Sequence, residues 1–431
     1  MPDQAQPRTR WRRLHPPGGA GLSKTAIIVG ASHGGVQAAA ALRQGGWDGA
    51  IRLFSAEDAL PYHRPPLSKA FLAGEKTEDQ ILLRGEAFYR DSDIELHRGE
   101  PVLRLDATKR EIETGNARYG YDTLILATGS RARRLGVDGA ELDGIVTLRS
   151  LDDARRIRPA LEQAGSLAIV GGGFIGLEIA STAAKAGKKT TVIEAQDRLL
   201  ARALPPVLSD FLRDYHRDKG VAFRFGAAVA AFKGARGRAQ AVMLADGERV
   251  NADLIVVGVG GEANVDLARQ AGLKIDAGGL HVDDEGRTSD PHIYAIGDVA
   301  AAHNPHAGAR LRLESVQNAV DQARMVAAGI CGAAAPAAPV PWFWTDQYDL
   351  KVQMAGLSRP GTTRLMRGNP GDGAFTLLEL DGDRLIAAHS VNRAADHMAA
   401  RKLIAAGTPL AVDQARDTTT ALAKAVARTD A

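Results

Sequence analysis

Short apolar runs that end in glycine recur along the chain, and they predict the buried strands of parallel sheets. Thr25 to Val29 is the first such run. The glycine-rich segment Gly30 to Gly35 (GASHGG) follows, then a helical stretch from Val36 to Gln44 and a strand from Ile51 to Phe54. Together these elements predict one strand-helix-strand unit of a parallel sheet.

The same unit occurs a second time further along the chain. It comprises the strand Leu167 to Val170, the turn Gly171 to Gly176 (GGGFIG), a helix up to Ala186 and the strand Thr190 to Ile193. Such alternation of strands and helices indicates α/β layers with parallel sheets. Further buried strands are predicted at Thr123 to Ala127, Leu254 to Val257 and Ile293 to Ile296.

The Ala/Pro-rich segment Cys331 to Pro341 is the clearest boundary in the chain. Beyond it, strands separated by Gly/Asp turns precede one helix from Ala394 to Ala406, which indicates a small α+β domain. Residues from about 412 onward show only a weak helical pattern. The strands of this domain are expected at Trp342 to Tyr348, Lys351 to Gly356, Ala374 to Leu380 and Arg384 to Ser390.

The composition is that of a globular protein with an unusual glycine content. Hydrophobic residues make up 45% and charged residues 24% of the 431 residues, which argues against global disorder. The 47 glycines are about 11% of the chain, against ~7% in an average protein, which predicts many tight turns or close approaches to a ligand. Because no apolar run reaches about 18 residues, we expect no membrane span.

The net charge of +3 resides in the first 23 residues, where four arginines accompany one aspartate, so the other residues are neutral overall. This argues against an extended nucleic-acid-binding face. The same 23 residues are rich in Pro and Gly, so we predict a disordered tail and not a secretory signal. Cys331 is the only cysteine, which excludes an internal disulfide and fits a reducing, cytoplasmic setting.

The second glycine turn matches the fingerprint of a dinucleotide-binding fold. Gly171 makes the tight turn, Gly173 lets a pyrophosphate approach, and Gly176 lets the helix pack against the strand. Glu194 ends the next strand, where a carboxylate can bind the two hydroxyls of an adenine ribose. It would repel a 2′-phosphate, which favours NADH over NADPH, although Arg198 could offset part of that repulsion.

The first glycine turn departs from the fingerprint, because Ser32 stands where the second glycine is expected. The same segment spells G-x-S-x-G, the nucleophile elbow of serine hydrolases, with His33 adjacent. That fold needs substantial sheet before the elbow, whereas only about 24 residues precede this strand, so a dinucleotide site is favoured. Glu57 is the ribose candidate and Asp58 competes with it. The binding turn itself comprises Gly30, Ser32, Gly34 and Gly35.

Two dinucleotide units predict two bound nucleotides, and a redox enzyme uses both if one is a tightly held flavin. The strand ending at Ile296 is followed by Gly297 and Asp298, whose carboxylate could accept a hydrogen bond from a ribitol hydroxyl. A helix N-cap is the alternative role for this aspartate. No Walker A or HExxH motif occurs, and His303 with His306 has no third ligand nearby in the sequence, so we expect no metal site.

Several longer motifs resemble those of the FAD-dependent ferredoxin reductases, the NADH-dependent enzymes that serve bacterial cytochrome P450 and aromatic-ring dioxygenase systems. The resemblance runs in order from about Lys24 to Pro409. It implies a glutathione-reductase-like α/β fold, with two Rossmann-like dinucleotide-binding domains and a C-terminal α+β domain. The motifs are GASHGG, ALPYHRPPLSKAFLAG (Ala59 to Gly74), ATGS, GGGFIGLE, RTSDPHIYAIGDVA, RLESVQNAVDQA and PWFWTDQYDL.

The resemblance implies non-covalent FAD as cofactor and NADH as co-substrate. Disulfide-reductase relatives carry cysteine near the flavin, where this chain has Arg64, Pro65, Pro66 and Lys69, so electrons would not leave through a thiol. The implied domains are an FAD domain at 24–132 and 257–340, an inserted NADH domain at 133–256 and a C-terminal α+β domain at 341–412, with tails at 1–23 and 413–431.

The resemblance also implies individual roles. Lys69 and Glu178 are expected to meet near flavin N5, where the lysine favours the negative charge of reduced flavin and the carboxylate keeps it protonated. A plain interdomain salt bridge is the alternative. Trp344 is matched to the aromatic residue near the ring and the electron exit, with a buried core tryptophan as the alternative.

Other contacts are implied by position in the motifs. Lys69 and Trp344 are also counted as FAD contacts and Glu178 as an NADH contact. The remaining FAD contacts are Arg64, Pro65, Ala127, Thr128, Gly129, Arg131, Gly297, Glu314, Ser315 and Val316, and the remaining NADH contacts are Phe174, Ile175, Arg202 and Gly260.

The expected reaction is hydride transfer from NADH to flavin N5, followed by two one-electron transfers to [2Fe-2S] ferredoxins. Ferredoxins are commonly acidic, so Arg310, Arg312, Arg393 and Lys402 are candidate docking cations, with ordinary solvated charges as the alternative. Two other functions stay open. One is reduction of rubredoxin, a quinone or another small acceptor, and the other is a flavin-bound interaction protein that responds to NADH. The sequence leaves open whether the protein is a monomer or a homodimer.

Overall fold

The fold is described from a computed structural model, which describes residues 24–334 and 336–427. The tail predicted at 1–23 and the last four residues lie outside the described part. The first segment contains helices α1 (His33–Gln44) and α2 (Glu86–Asp91) and strands β1 (Thr25–Val29), β2 (Ala50–Phe54), β3 (Ile94–His97), β4 (Val102–Asp106), β5 (Glu111–Thr114), β6 (Arg118–Gly120), β7 (Thr123–Leu126) and β8 (Ser130–Ala132).

The second segment repeats the strand-helix-strand unit. It contains helices α3 (Leu151–Gln163), α4 (Phe174–Lys185) and α5 (Pro206–Asp218) and strands β9 (Ile145–Val146), β10 (Ser166–Val170), β11 (Lys189–Ile193), β12 (Ala222–Arg224), β13 (Val229–Ala235), β14 (Arg238–Leu244), β15 (Arg249–Asn251) and β16 (Leu254–Val257).

The third and fourth segments complete the chain. The third contains helices α6 (Asp266–Gln270) and α7 (Val316–Ile330) and strands β17 (Gly261–Ala263), β18 (Ile275–Asp276), β19 (Gly279–His281), β20 (Ile293–Ala295), β21 (Ala300–Asn304) and β22 (Ala309–Leu311). The fourth contains strands β23 (Trp342–Gln347), β24 (Leu350–Gly356), β25 (Thr363–Asn369), β26 (Ala374–Asp381) and β27 (Arg384–Val391) and helices α8 (Ala394–Ala406) and α9 (Val412–Arg416).

Two five-stranded parallel sheets form the centres of the two nucleotide-type units, which confirms the predicted α/β class. The first sheet has the order β20-β7-β1-β2-β3 and therefore joins the first and third segments into one unit. The second sheet has the order β12-β11-β10-β16-β9 and belongs to the second segment alone. In both sheets the central strands, β1 and β10, are almost entirely buried, because helices cover one face of the sheet and a small antiparallel sheet covers the other. The antiparallel sheet is β4-β5-β6 in the first unit and β13-β14-β15 in the second.

The carboxyl ends of neighbouring strands meet at one edge of each sheet. In the first sheet Val29 of β1 pairs with Leu126 of β7, which in turn pairs with Ala295 of β20. The turns that follow these three strands therefore lie side by side. The equivalent turns after β10 and β16 are adjacent in the second sheet. Ligands of open α/β sheets bind in this position, outside the carboxyl ends of the strands.

The C-terminal unit is an antiparallel sheet in the order β23-β24-β27-β26-β25, with α8 packed against it. Its other face is buried against the second unit through residues such as Val352 and Phe375. The strand β25 was not predicted. Arg364 and Arg367 interrupt its apolar alternation, and Arg367 is nevertheless fully buried because its guanidinium donates to backbone carbonyls and to the Asp396 carboxylate.

The tail predicted from residue 413 is wrong for residues 413–427. Helix α9 begins at Val412, and Ala415, Leu422 and Ala425 are buried in the core of the C-terminal unit. Alanine and isolated leucine give too weak an apolar pattern to reveal this from sequence alone. One helix boundary also differs from prediction, since α1 begins at His33 and not at Val36.

Among the described residues, no helix has the length and apolar character that crossing a bilayer requires. No group of three or more His, Cys, Asp or Glu side chains within 24–334 and 336–427 is arranged to hold a metal ion.

Candidate functional site

Two positions of the first glycine turn, Gly30 and Gly35, can be occupied only by glycine. Gly30 has φ +111°, and a Cβ there would lie 2.2 Å from the carbonyl oxygen of Ala127 on the neighbouring strand. A Cβ on Gly35 would lie 1.9 Å from the carbonyl oxygen of Gly30, so its absence lets α1 pack closely on β1. Gly34 is less constrained, because its Cβ would lie 3.4 Å from Ile296. These contacts fit the roles that the fingerprint assigns to the first and last glycines.

Ser32 occupies the N-cap position of α1, and its hydroxyl accepts a hydrogen bond of 3.1 Å from Arg64 Nε. Its neighbour His33 is buried and lies 3.3 Å from His63, Nε2 to Nδ1. Within the described part of the chain, neither histidine hydrogen-bonds to the serine hydroxyl. The serine-hydrolase interpretation therefore lacks the base that would activate the nucleophile.

The N-terminus of α1 lies in a strongly cationic environment. Burial lowers the pKa of His33 to about 3, and the charges of His63, Arg64 and Arg149 contribute to the same shift. The N-terminus of a helix also carries a partial positive charge, and α1 has no acidic residue in its first turn. This combination suits a doubly charged pyrophosphate bound at the turn.

Arg64 joins the turn to the predicted ribose acid. It donates a hydrogen bond of 2.8 Å to Glu57, and the Tyr62 hydroxyl donates to the other carboxylate oxygen at 2.5 Å. The competitor Asp58 is exposed and is not part of this group. Glu57 is therefore the acid that the structure holds beside Ser32 and Arg64, while its ribose role stays a prediction.

Asp298 lies at the same edge, in a short 3₁₀ turn (Gly297–Val299) after β20. Its carboxylate accepts hydrogen bonds from Arg149 Nη2 at 2.8 Å and from the Ser130 hydroxyl at 2.9 Å. Ile296 is the N-cap of that turn, so Asp298 is not a capping residue. Arg149 was missed by sequence reasoning. It directly precedes Ser150, whose capping box with Asp153 fixes the start of α3, and this signal is readable in the sequence.

The other predicted FAD contacts lie around this edge. Ala127 contacts the first glycine turn through its carbonyl, and the Thr128 hydroxyl donates to the Asn264 carbonyl at 2.9 Å. Gly129 has φ +66° and precedes Ser130. Arg131 is half-exposed and pairs at 2.7 Å with Asp266.

The segment from Glu314 to Val316 joins β22 to α7. The Glu314 carboxylate pairs with Arg312 at 2.7 Å. The Ser315 hydroxyl caps α7 by accepting from the Asn318 N–H, and Val316 is the first residue of the helix. Contacts within the chain itself therefore hold this segment in place.

Lys69 and Glu178 meet, as the resemblance implied, at the junction of all three units. Lys69 Nζ lies 3.0 Å from Glu178 Oε1, and the carboxylate is buried. The Ser68 hydroxyl donates to Oε2 at 2.5 Å, and the Thr345 hydroxyl donates to Oε1 at 2.6 Å. The ring of Trp344 is centred 6.0 Å from Lys69 Nζ. Lys69 follows the 3₁₀ turn Pro65–Ser68, Glu178 lies on α4, and Thr345 and Trp344 lie on β23.

The second glycine turn repeats the constraints of the first. Gly171 has φ +110°, and a Cβ there would lie 2.3 Å from the Gly258 carbonyl oxygen. A Cβ on Gly176 would lie 2.2 Å from the Gly171 carbonyl oxygen. At Gly173, by contrast, no atom lies within 4 Å of a Cβ. The middle glycine thus borders open space, as expected where a pyrophosphate approaches the backbone.

Glu194 closes this turn from the end of β11. Its carboxylate accepts hydrogen bonds from the backbone N–H groups of Gly172 at 2.7 Å and Gln196 at 2.8 Å. Arg198 is not the flexible cation that the sequence suggested. Its guanidinium is directed inward and donates to the carbonyls of Ala201 and Leu204 and to the Ser209 hydroxyl.

The remaining predicted NADH contacts surround the open side of the turn. Arg202 is exposed, and its guanidinium lies 3.6 Å from where a Cβ on Gly260 would be. Ile175 is 42% exposed, which is unusual for a large apolar side chain. The Phe174 ring packs against Phe343 of the C-terminal unit at 4.7 Å between centroids.

Two of the four predicted docking cations, Arg310 and Arg312, are engaged by groups of their own unit, and their docking role stays a prediction. Arg310 donates to the carbonyls of Val282 and Ala301, and Arg312 donates to the Asp298 carbonyl and pairs with Glu314. Both guanidinium groups therefore bind groups of their own unit, and the side chains are 24% (Arg310) and 16% (Arg312) exposed.

The other two cations lie at opposite ends of α8. Arg393 pairs with Asp396 at 2.5 Å. Lys402 is exposed and has no ion-pair partner in the described part of the chain, so it is the one predicted docking cation with a free charge there.

Comparison with known families and proteins shows to which family the chain belongs. A model of the pyridine nucleotide-disulphide oxidoreductase family matches residues 24–323, and a model of the C-terminal domain of reductases matches residues 342–426. The chain belongs to the pyridine nucleotide-disulphide oxidoreductase family.

Relatives with a named activity cover nearly all of this chain. Rhodocoxin reductase of Rhodococcus erythropolis is 43% identical over 403 residues, which are 93% of this chain and 94% of the relative. Rubredoxin-NAD(+) reductase of Pseudomonas putida is 41% identical over 367 residues, 85% of this chain and 95% of the relative. The crystal structure of the ferredoxin reductase for the CYP199A2 system of Rhodopseudomonas palustris is 39% identical, with a TM-score of 0.90 over 94% of this chain and 100% of that one.

Proposed function

We propose that this protein oxidises NADH through bound, non-covalent FAD and passes the electrons singly to a [2Fe-2S] ferredoxin that serves a cytochrome P450 or aromatic-ring dioxygenase. The observation that carries the proposal is the Lys69–Glu178 pair beside Trp344, at the point where the two nucleotide-type units and the C-terminal unit meet. The names of the relatives, a rhodocoxin reductase and a ferredoxin reductase of a cytochrome P450 system, support the same activity.

The first nucleotide-type unit, 24–132 with 257–340, is the proposed FAD domain. Its first glycine turn has the cradle and the cationic surroundings that a pyrophosphate needs, and its residues therefore fit the cofactor. Ser32, Arg64 and the N-terminus of α1 would hold the phosphates, while Asp298 would receive a hydroxyl of the flavin side chain. When bound, FAD supplies the ability to accept a hydride and to release its two electrons separately.

The second unit, 133–256, is the proposed NADH domain. Glu194 would bind the adenine ribose, and the inward orientation of Arg198 commits its guanidinium to the protein's own carbonyls instead of a 2′-phosphate. A carboxylate without a neighbouring free cation repels that phosphate, which supports NADH as the coenzyme. Arg202 stays a proposed contact of the open side.

Lys69 is the proposed catalytic cation. Its side chain is 18% exposed and its ammonium group is held by Glu178, so it presents a fixed positive charge at the junction. A positive charge beside an accepting ring stabilises the negative charge that arrives with a hydride. The three donors to Glu178, Lys69, Ser68 and Thr345, keep that carboxylate in one orientation.

No thiol takes part in the proposed electron exit. The chain's only cysteine, Cys331, follows α7, and its sulfur lies 3.7 Å from the Leu42 carbonyl at the end of α1. Trp344 is half-buried next to Lys69, so it is the proposed route from the flavin to the partner. Lys402 is the remaining proposed docking cation. A cytoplasmic location and the oligomeric state stay predictions of the sequence.

One second function has specific support, because a rubredoxin reductase is among the relatives. The comparisons give no support to a flavin-bound interaction protein, since these relatives are named as enzymes. Stopped-flow absorbance separates the two acceptors. Rapid reduction of the bound flavin by NADH, followed by reoxidation that is at least tenfold faster with ferredoxin than with rubredoxin, is the expected result. Equal rates with ferredoxin, rubredoxin and ferricyanide would contradict ferredoxin specificity.

A further inference from the structure

A chain of buried polar side chains runs from Glu178 into the interface between the second unit and the C-terminal unit. The Thr345 hydroxyl donates to Glu178 at 2.6 Å, and the Gln347 amide donates to the Thr345 oxygen at 3.2 Å. The Gln347 carbonyl oxygen lies 2.8 Å from His216 Nε2, and His216 Nδ1 lies 3.2 Å from the Tyr348 hydroxyl. Thr345, Gln347 and His216 are each 0% exposed.

The hydrogen bonds of this chain all point in one direction. An ionised carboxylate can only accept, so the Thr345 hydroxyl must donate to Glu178 and its oxygen is free to accept from Gln347. The carbonyl of Gln347 then faces His216, whose Nε2 must carry the proton. His216 Nδ1 accepts from Tyr348. Burial lowers the pKa of His216, although the hydrogen bond to Gln347 acts in the opposite sense, and the neutral ring that this arrangement needs is favoured.

The placement of the donors follows from the fold. Thr345 and Gln347 alternate along β23 and therefore project from the same face of the sheet, towards the second unit. His216 comes from α5, more than 120 residues earlier in the chain. Burying so many polar groups is costly unless each is satisfied, and apolar residues of the same size would fill the interface equally well. The arrangement therefore calls for a role beyond packing.

We propose that this chain positions the Glu178 carboxylate and stabilises its negative charge, so that Thr345, Gln347 and His216 act on Lys69 through Glu178. This inference rests on the proposed function, in which Lys69 faces the reacting flavin. Hydrogen bonds that are aligned in series polarise one another, so the carboxylate receives a stronger bond than an isolated hydroxyl would give. Thr345, Gln347 and His216 are positioning residues, because Glu178 lies between them and Lys69.

The test begins with Thr345→Val, which keeps the side-chain shape and removes the hydroxyl. Reduction of the bound flavin by saturating NADH should slow about tenfold, equivalent to ~1.4 kcal/mol. The dissociation constant of NADH should change less than the rate of flavin reduction, because the hydrogen bonds of Thr345, Gln347 and His216 do not involve the nucleotide turn. Thr345→Ser restores the hydroxyl and should recover the rate to within twofold. Tyr348→Phe removes only the far end of the chain and should have a smaller effect than Thr345→Val.

Thr376→Val is the matched control. Thr376 is also 0% exposed, lies in the same sheet, and bonds to Ser390 and Asp396 but not to Glu178. It should lower the melting temperature about as much as Thr345→Val while leaving flavin reduction within twofold of the native rate. If both valine variants slow flavin reduction equally, the hydrogen-bonded side chains contribute only packing, and the proposal is wrong.

A second readout does not depend on activity. NMR of the ¹⁵N-labelled histidines in the flavin-loaded protein, without NADH, should show His216 as the Nε2-protonated neutral tautomer with a slowly exchanging proton. Thr345→Val should speed that exchange, because Gln347 loses the acceptor that fixes it. A native Nδ1-protonated tautomer would contradict the direction of the chain.

The outcome also separates this inference from the function on which it rests. If Lys69→Met and Glu178→Gln slow flavin reduction but Thr345→Val does not, only the role proposed for the hydrogen-bonded side chains beyond Glu178 is wrong. If neither Lys69→Met nor Glu178→Gln changes the rate, the proposed active site itself is wrong.

Discussion

Replacing Asp298 by alanine should weaken flavin retention and destabilise the first unit. The carboxylate is 15% exposed and accepts two hydrogen bonds, one from the Arg149 guanidinium and one from Ser130. Hydrogen bonds to a charged group are each worth ~1.5 to 3 kcal/mol. Arg149 keeps 31% exposure, so water replaces part of what it loses, and a net cost of ~3 kcal/mol is expected.

Two assays follow from this estimate. The ratio of flavin to protein absorbance in the purified variant should fall well below that of the native protein. The melting temperature should also be lower without added FAD, and it should rise as FAD is added over a higher concentration range than for the native protein. Asp266→Ala is the control, because Asp266 forms an exposed pair with Arg131 and should cost less than ~1 kcal/mol. An Asp298→Ala protein that is purified fully yellow, with native melting behaviour, would refute the assignment.

Three further predictions concern other parts of the molecule. Glu194→Ala removes the carboxylate that repels a 2′-phosphate. It should therefore raise the KM for NADH and reduce the preference for NADH over NADPH by about tenfold, ~1.4 kcal/mol. In steady-state kinetics, an unchanged ratio of the kcat/KM values for NADH and NADPH would count against the ribose role. Burial alone would raise the pKa of Glu379, but hydrogen bonds from His389 and Ser358 lower it to about 2, so its stabilising contribution is present above about pH 4.5 and is lost as the pH falls towards 2. Thermal denaturation should therefore show a weaker acid dependence in Glu379→Gln, and an identical dependence would contradict the shift. Arg367→Met should lower the free energy of unfolding of the C-terminal unit by ~3 kcal/mol, because Asp396 and three backbone carbonyls lose the guanidinium that donates to them. In guanidinium chloride denaturation, an unchanged midpoint would show that Arg367 does not hold the C-terminal segment in place.

The sequence revealed the features whose causes are local. The two glycine turns follow directly on apolar strands, and their constraints, such as the close approach of Gly30 to Ala127, belong to a known fingerprint. The Lys69–Glu178 pair is different. These residues are far apart in the sequence, so no local pattern predicts their contact. Only the resemblance to ferredoxin reductases predicted it.

Features that depend on distant backbone groups were not predictable. Arg198 looked like a free cation because its acceptors are the carbonyls of a loop whose path the sequence does not show. Arg310 looked like a docking cation for the same reason. Strand β25 was missed because Arg367 is a buried arginine whose partners are carbonyls about 50 residues later. In each case the folded chain supplies acceptors for the guanidinium group. The arginine can therefore turn inward despite its usual preference for solvent.

The most direct test of the account is an absorbance spectrum of the purified protein, recorded before and after anaerobic addition of NADH. We expect the spectrum of oxidised flavin with one FAD per chain, its bleaching by one equivalent of NADH, and recovery of colour when two equivalents of oxidised ferredoxin are added. A preparation that stays colourless when offered FAD, or a bound flavin that NADH does not bleach, would contradict it.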